Sequence, residues 1–143
     1  MANQTTDEFI FNDIRRKLHD NAKKEYNQEM IDFIKSKDWQ HCEYCKTKLL
    51  SKYETNYPWK EVPSIDHKIP KIFSEGSNEY SNIAIVCYRC NLAKGTMRSE
   101  SYLILLQALS SFAGEKKKEE ILNELFIGRK AAKLKQLEGE VKC

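Results

Sequence analysis

Two Cys-x-x-Cys pairs, Cys42-Glu-Tyr-Cys45 and Cys87-Tyr-Arg-Cys90, constrain this chain more than any other feature. At that spacing a tight knuckle presents two thiolates on one side, and two knuckles complete a tetrahedral shell with no position left for water. The pattern predicts a closed structural Zn2+ site and the meeting of two segments distant in sequence. The stretch between the pairs is longer than in a compact zinc ribbon, but loop-closure cost grows slowly with length, so an insertion is readily accommodated. Thioredoxin-like redox chemistry wants one pair at a helix start in a βαβ unit, and two pairs argue against it. Iron–sulfur ligation is the remaining use for four thiolates. Cys143 stands apart at the C-terminus and reads as a free thiol.

With 143 residues, 41% of them hydrophobic and 31% charged, the chain has the length of one ordinary domain. Its core should be modest, and a bound metal would help to hold it. The N-terminus MANQTTDEF has no basic start followed by an apolar stretch, and the longest apolar run, Ile83–Tyr88, is too short to span a bilayer. A soluble, cytoplasmic protein without a membrane role is expected, in which cysteines bind metal or stay reduced. The net charge of +3, from 24 basic and 21 acidic residues, does not by itself mark a nucleic-acid binder. Its distribution says more. Cys87–Ser99 holds Arg89, Lys94 and Arg98 without an acid, and Gly128–Leu137 holds Arg129, Lys130, Lys133 and Lys135, again without one. Either run suits contact with phosphate or a solvated helix face.

Residues Thr6 to Lys37 read as helical, from Phe9, Ile10, Ile14 and Leu18 and then Tyr26, Met30, Phe33 and Ile34, with a break near Asn21 and a cap at Thr6 or Asp7. The centre, His41 to about Met97, holds every proline, which rules out a long helix there. Val62–Ile69 and Ile83–Cys87 read as short strands, with a loop around Gly76 between them. From Ser101 the chain is helical again, with Tyr102, Leu105, Leu106 and Leu109 on one stripe. A break at Gly114 and a last helix through Ile121, Leu122, Leu125 and Phe126 follow. Past Arg129 the tail is polar and is expected to fray.

Three strings lie between and beside the knuckles: Ile65-Asp66-His67-Lys68-Ile69-Pro70, Ser81-Asn82-Ile83-Ala84-Ile85-Val86-Cys87, and Cys90-Asn91-Leu92-Ala93-Lys94-Gly95. Each alone is ordinary: an Asn before a strand is commonly a turn residue, and an Asn after a Cys knuckle often caps a helix. Their ordered conjunction around two knuckles resembles the HNH endonuclease family of ββα-metal nucleases, in its four-cysteine, His-Asn-Asn form. The resemblance covers about His41 to Met97 and is silent on both flanks.

The resemblance implies a small ββα-metal core with a four-cysteine zinc site; with the N- and C-terminal helices read from periodicity on either side, the expected fold is α+β. The expected division is a helical extension over 1–40, a nuclease core over 41–98 and a second helical extension over 99–143. It implies metal-dependent hydrolysis of phosphodiester bonds in DNA, with RNA left open as a substrate. His67, at the end of the first strand, would be the general base for water, a task that suits imidazole near neutral pH. Asp66 would be the carboxylate ligand of one Mg2+ or Mn2+, and Asn91, at the helix start, would supply a second oxygen. Asn82 would hold the loop that orients His67. Many members have His where this chain has Asn91, a departure that bears on metal preference rather than on activity.

Lys94 and Arg98 follow along the expected helix, Arg89 precedes them, and Lys68 and Lys71 flank the catalytic strand; all five are candidates for contact with phosphate. Tyr53, Tyr57 and Trp59 read as packing more readily than as base-stacking platforms. A non-catalytic zinc-knuckle module that binds nucleic acid would need only the cysteines and the basic residues, and the intact Asp66, His67 and Asn91 argue against it. A zinc deaminase needs an open site with His-x-Glu; only His41 has that pattern, and its Cys42 belongs to the closed knuckle. The helical flanks also offer surfaces for a protein partner or a homodimer.

Overall fold

The computed structural model describes residues 6–23 and 25–141, and Cys143, read above as a free thiol, lies outside them. Helix α1 (Thr6–Ala22) turns Ile10, Ile14 and Leu18 inward, and α2 (Gln28–Ser36) does the same with Met30 and Ile34. The expected break falls between them. Asn27 opens α2, its side-chain oxygen accepting from the Met30 N–H at 2.8 Å, which satisfies a donor that the first helical turn leaves without a partner.

The centre holds two antiparallel strands, β1 (Pro63–His67) and β2 (Ile83–Cys87), with Pro63 opposite Cys87 and His67 opposite Ile83. Every residue of β2 is buried, as its unbroken apolar run requires of a strand covered on both faces. The first strand, expected to run to Ile69, stops at His67. Beyond it the partner is Asn82: its backbone carbonyl accepts from the Lys68 N–H and its side-chain oxygen from the Ile69 N–H. Pro70 then has no N–H with which to continue the ladder.

Helix α3 (Tyr88–Lys94) leaves β2 directly, and α4 (Ser99–Ala113) and α5 (Glu115–Val141) follow. Gly114, at φ 85°, makes the break between α4 and α5. The tail expected to fray is instead helical to Val141. Ala131, Ala132, Lys133, Leu134 and Lys135 are strong helix formers, so the helix continues over 131–138 with these side chains exposed.

One apolar cluster joins Ile10, Ile14 and Leu18 of α1, Ile34 of α2, Leu49, the whole of β2, Tyr102 and Leu106 of α4 and Leu122 of α5. The helical flanks therefore share the core of the central unit. Among the described residues no helix is long and apolar enough to cross a membrane.

Candidate active site and metal centre

The two knuckles meet. The Sγ atoms of Cys42, Cys45, Cys87 and Cys90 all lie within 4.8 Å of one another, and Cys45 and Cys87 stand 3.7 Å apart. A tetrahedron of thiolates about 2.3 Å from a central zinc has edges of about 3.8 Å, so the cluster has the size as well as the donor set for that ion. The Cys42 sulfur accepts from the N–H groups of Tyr44 and Cys45, and the Cys87 sulfur from that of Cys90, donors that favour thiolate over thiol. Lys46, at φ 65°, closes the first knuckle, and the Glu43 N–H bonds the Ile85 carbonyl of β2. The cysteine cluster is thereby tied to the sheet.

At the end of β1, Asp66 meets Tyr44 and Lys94, and His67 meets Asn78 and Asn21 of α1. Asp66 is buried against the zinc knuckle, where the Tyr44 hydroxyl donates to Oδ2 at 2.6 Å and the Lys94 ammonium lies 3.1 Å from the same oxygen. Burial pushes the Asp66 carboxyl above its ordinary value, against the opposing pull of Tyr44 and Lys94. Lys94 also donates to the His67 carbonyl at 3.0 Å. One ammonium thus holds both residues of the Asp-His pair.

His67 is half-buried, and its Nε2 lies 2.8 Å from the side-chain oxygen of Asn78 and 3.3 Å from the side-chain nitrogen of Asn21 in α1. Asn82 staples the loop between the strands: its amide nitrogen donates to the carbonyls of Ile69 and Ser77, while its oxygen takes the Ile69 N–H. Gly76 is needed within that loop, because a Cβ there would fall 2.2 Å from the Pro70 carbonyl oxygen.

Asn91 lies in the middle of α3 rather than at its start. Cys87 is the N-cap, its sulfur taking the Cys90 N–H, and this rules out the helix-cap role for Asn91. The Asn91 amide nitrogen donates to Ser64 Oγ at 2.6 Å and to the Ile65 carbonyl at 3.2 Å, which leaves Oδ1 without a donor among the described residues. Asp66, His67, Asn91 and Lys94 line one open cleft, with Lys71 at its rim.

Residues 42–97 match the HNH endonuclease family model. The matched segment carries the two cysteine knuckles, both strands and α3. Comparison with curated proteins and with solved structures finds no match.

The basic residues around the HNH domain divide by burial. Lys94, expected on an open face, is 1% exposed and committed to Asp66. Arg89 is likewise buried, forked onto Glu119 and Asn123 of α5. The sequence leaves both open to phosphate or solvent, but α5 covers one side of α3 and β1 the other. Lys68 pairs with Glu43 at 3.5 Å, and Arg98 pairs with Glu75 while stacking on the Phe73 ring. Lys71 is exposed and, among the described residues, unpaired. In the second basic run, Arg129 donates to the Leu92 and Ala93 carbonyls at the end of α3, where Gly95 at φ 58° leaves it room. Lys130 points at the Tyr57 ring from 4.1 Å and bonds the Pro58 carbonyl, so Tyr57 and Trp59 help to pack α5. Sequence alone does not single out Tyr44, Asn78 or Asn21. Tyr44 lies in plain view inside the first knuckle, but only the fold brings it to Asp66.

Proposed function

We propose that this chain is a metal-dependent endonuclease that hydrolyses phosphodiester bonds in DNA. On this reading 41–98 is the nuclease core, 1–40 and 99–143 are helical extensions docked on it, and zinc on the four cysteines is structural. The observation that carries it is the gathering of Asp66, His67 and the free Asn91 oxygen at one cleft within the matched HNH domain.

Asp66 and Asn91 offer the oxygen donors that a hard cation takes, and Oδ1 of each retains lone pairs for one. Mg2+ or Mn2+ held there would polarise the phosphoryl group and offset charge on the leaving oxygen. His67 takes a proton from water as the water oxygen bonds to phosphorus, and the opposite P–O ester bond breaks. The leaving oxygen then takes up a proton from solvent. Lys71, at the rim of the cleft, would meet the phosphate backbone.

The test is incubation of the full chain with plasmid DNA, and separately with RNA, in Mg2+ or Mn2+, beside His67→Ala. Loss of the base should slow cleavage by about two to four orders of magnitude, with zinc content and melting temperature retained. Cleavage by His67→Ala at the rate of the parent would remove His67 from the mechanism. Failure of the parent to cut either polymer in either metal would overturn the nuclease reading.

A further inference from the structure

His67 offers a single ring nitrogen, Nε2, to two amides: Asn78 Oδ1 at 2.8 Å and Asn21 Nδ2 at 3.3 Å. One nitrogen cannot serve both. Either it carries a proton and donates to the oxygen, or it carries a lone pair and accepts from the amide N–H. At 2.8 Å an unprotonated Nε2 would set two lone pairs against each other. The 3.3 Å contact lies at the long edge of hydrogen bonding, and little is lost by forgoing it. The shorter contact decides, so the proton sits on Nε2 and Nδ1 is the ring's basic nitrogen. No partner meets Nδ1 among the described residues.

We propose that Asn78 is the positioning residue of this site: through Nε2 it fixes the tautomer and the orientation of His67, and it is itself set in place by Asn82. The proposal rests on the reading of His67 as general base. The link to Asn82 is direct, because Asn82 Nδ2 holds the Ser77 carbonyl at 2.9 Å, one peptide away from Asn78. Loop closure at Gly76 leaves that segment little room to shift. Asn21 walls the other side of the ring from α1, outside the matched segment 42–97, so the N-terminal helix belongs to the surroundings of the reacting group.

The experiment pairs a ring spectrum with kinetics on the full zinc-loaded chain. Asn78→Leu removes the acceptor at similar volume, and Asn78→Ala serves as a second variant if Leu does not fold. In the parent protein, 15N spectra of the histidine ring should show Nε2 protonated and Nδ1 bare. In either variant the signals should move towards a mixture of tautomers. Turnover should fall about 10- to 100-fold, the usual scale for losing the orienting partner of a functional imidazole, with KM within about twofold of the parent. Asn82→Ala combined with Asn78→Leu should slow turnover no more than the worse single change, since both act through one contact. Nδ1 protonated with Nε2 bare in the parent would overturn the proposal, and because the spectrum needs no turnover, that result would count even if the chain is no nuclease. Asn78→Leu cleaving at the parent rate, while His67→Ala does not cleave, would overturn it and leave the nuclease reading intact.

Discussion

The Lys94 ammonium lies 3.1 Å from a carboxylate oxygen of Asp66, and both side chains are withdrawn from solvent. Such a pair is costly to break from one side, because the survivor stays buried with its charge uncompensated. Here the pair also joins α3 to β1 beside the cleft, with Tyr44 bringing the first cysteine knuckle to the same carboxylate. Metal centre and cleft are one mechanical unit.

Lys94→Ala should therefore destabilise the fold by about 3–5 kcal/mol, read as a shift in denaturant midpoint. A solvated, phosphate-binding lysine would cost less than about 0.5 kcal/mol. Adding Asp66→Asn should recover part of the loss by removing the stranded charge. A near-neutral Lys94→Ala would mean that Asp66 finds other compensation.

The fold should also depend on the thiolate-bound ion. Freshly purified protein should hold about one zinc per chain, and strong chelation or Cys→Ser at position 42, 45, 87 or 90 should abolish cooperative unfolding, since binding energy at such sites is folding energy. The knuckles draw β2 and the 42–49 segment into one core, so the loss should spread beyond the site. A chelated chain that melts like the parent would show that the cysteines pack without metal.

Arg89 holds the Glu119 carboxyl below its ordinary value of 4.5, chiefly through their hydrogen bond. A carboxyl lowered in the fold contributes stability that is present above the unfolded value and lost as pH falls through the folded one. Glu119 is half exposed, so the contribution should be on the order of 1 kcal/mol or less. Glu119→Gln should melt below the parent at pH 7, and the gap should narrow below about pH 4.5. Comparing the two proteins cancels acid loss of zinc, which both share. A gap that does not change with pH would mean the clamp is held by Asn123 and packing.

Much of this is legible in the sequence, because local chemistry dictates it. The knuckles and the apolar run of β2 need only spacing and composition, while the Asn82 staple follows from the family resemblance. What escapes is tertiary. Nothing in the periodicity of α3 says that α5 will lie along it, so Arg89 and Lys94 read as open when they are covered. Asn78 goes unnoticed in the loop around Gly76 because its partner is set by how tightly the loop folds back. The tail reads as polar, and polarity suggests fraying where helix propensity carries it on to Val141.

Asn91 is where the two kinds of information meet. Its amide nitrogen ties α3 to β1 through Ser64 and Ile65, and its oxygen meets no donor among the described residues. Cys87 caps the helix, so loss of Asn91 removes no cap. Asn91→Ala should cost about 1 kcal/mol of stability for the lost bonds, and should in addition lose most Mg2+-dependent cleavage, because few protein oxygens are available to hold that ion. Asn91→His places an imidazole nitrogen there, which suits softer ions such as Co2+ or Ni2+ better than Mg2+. It should retain cleavage with a changed metal preference. Cleavage rates in Mg2+, Mn2+ and Co2+, normalised to folded protein from parallel melting curves, separate the two roles. Asn91→Ala that melts lower yet cleaves at the parent rate per folded molecule in Mg2+ would leave Asn91 as a tie between helix and strand. Loss of Mg2+ cleavage beyond the loss of folded protein, with Co2+ cleavage appearing in Asn91→His, would place its oxygen on the metal.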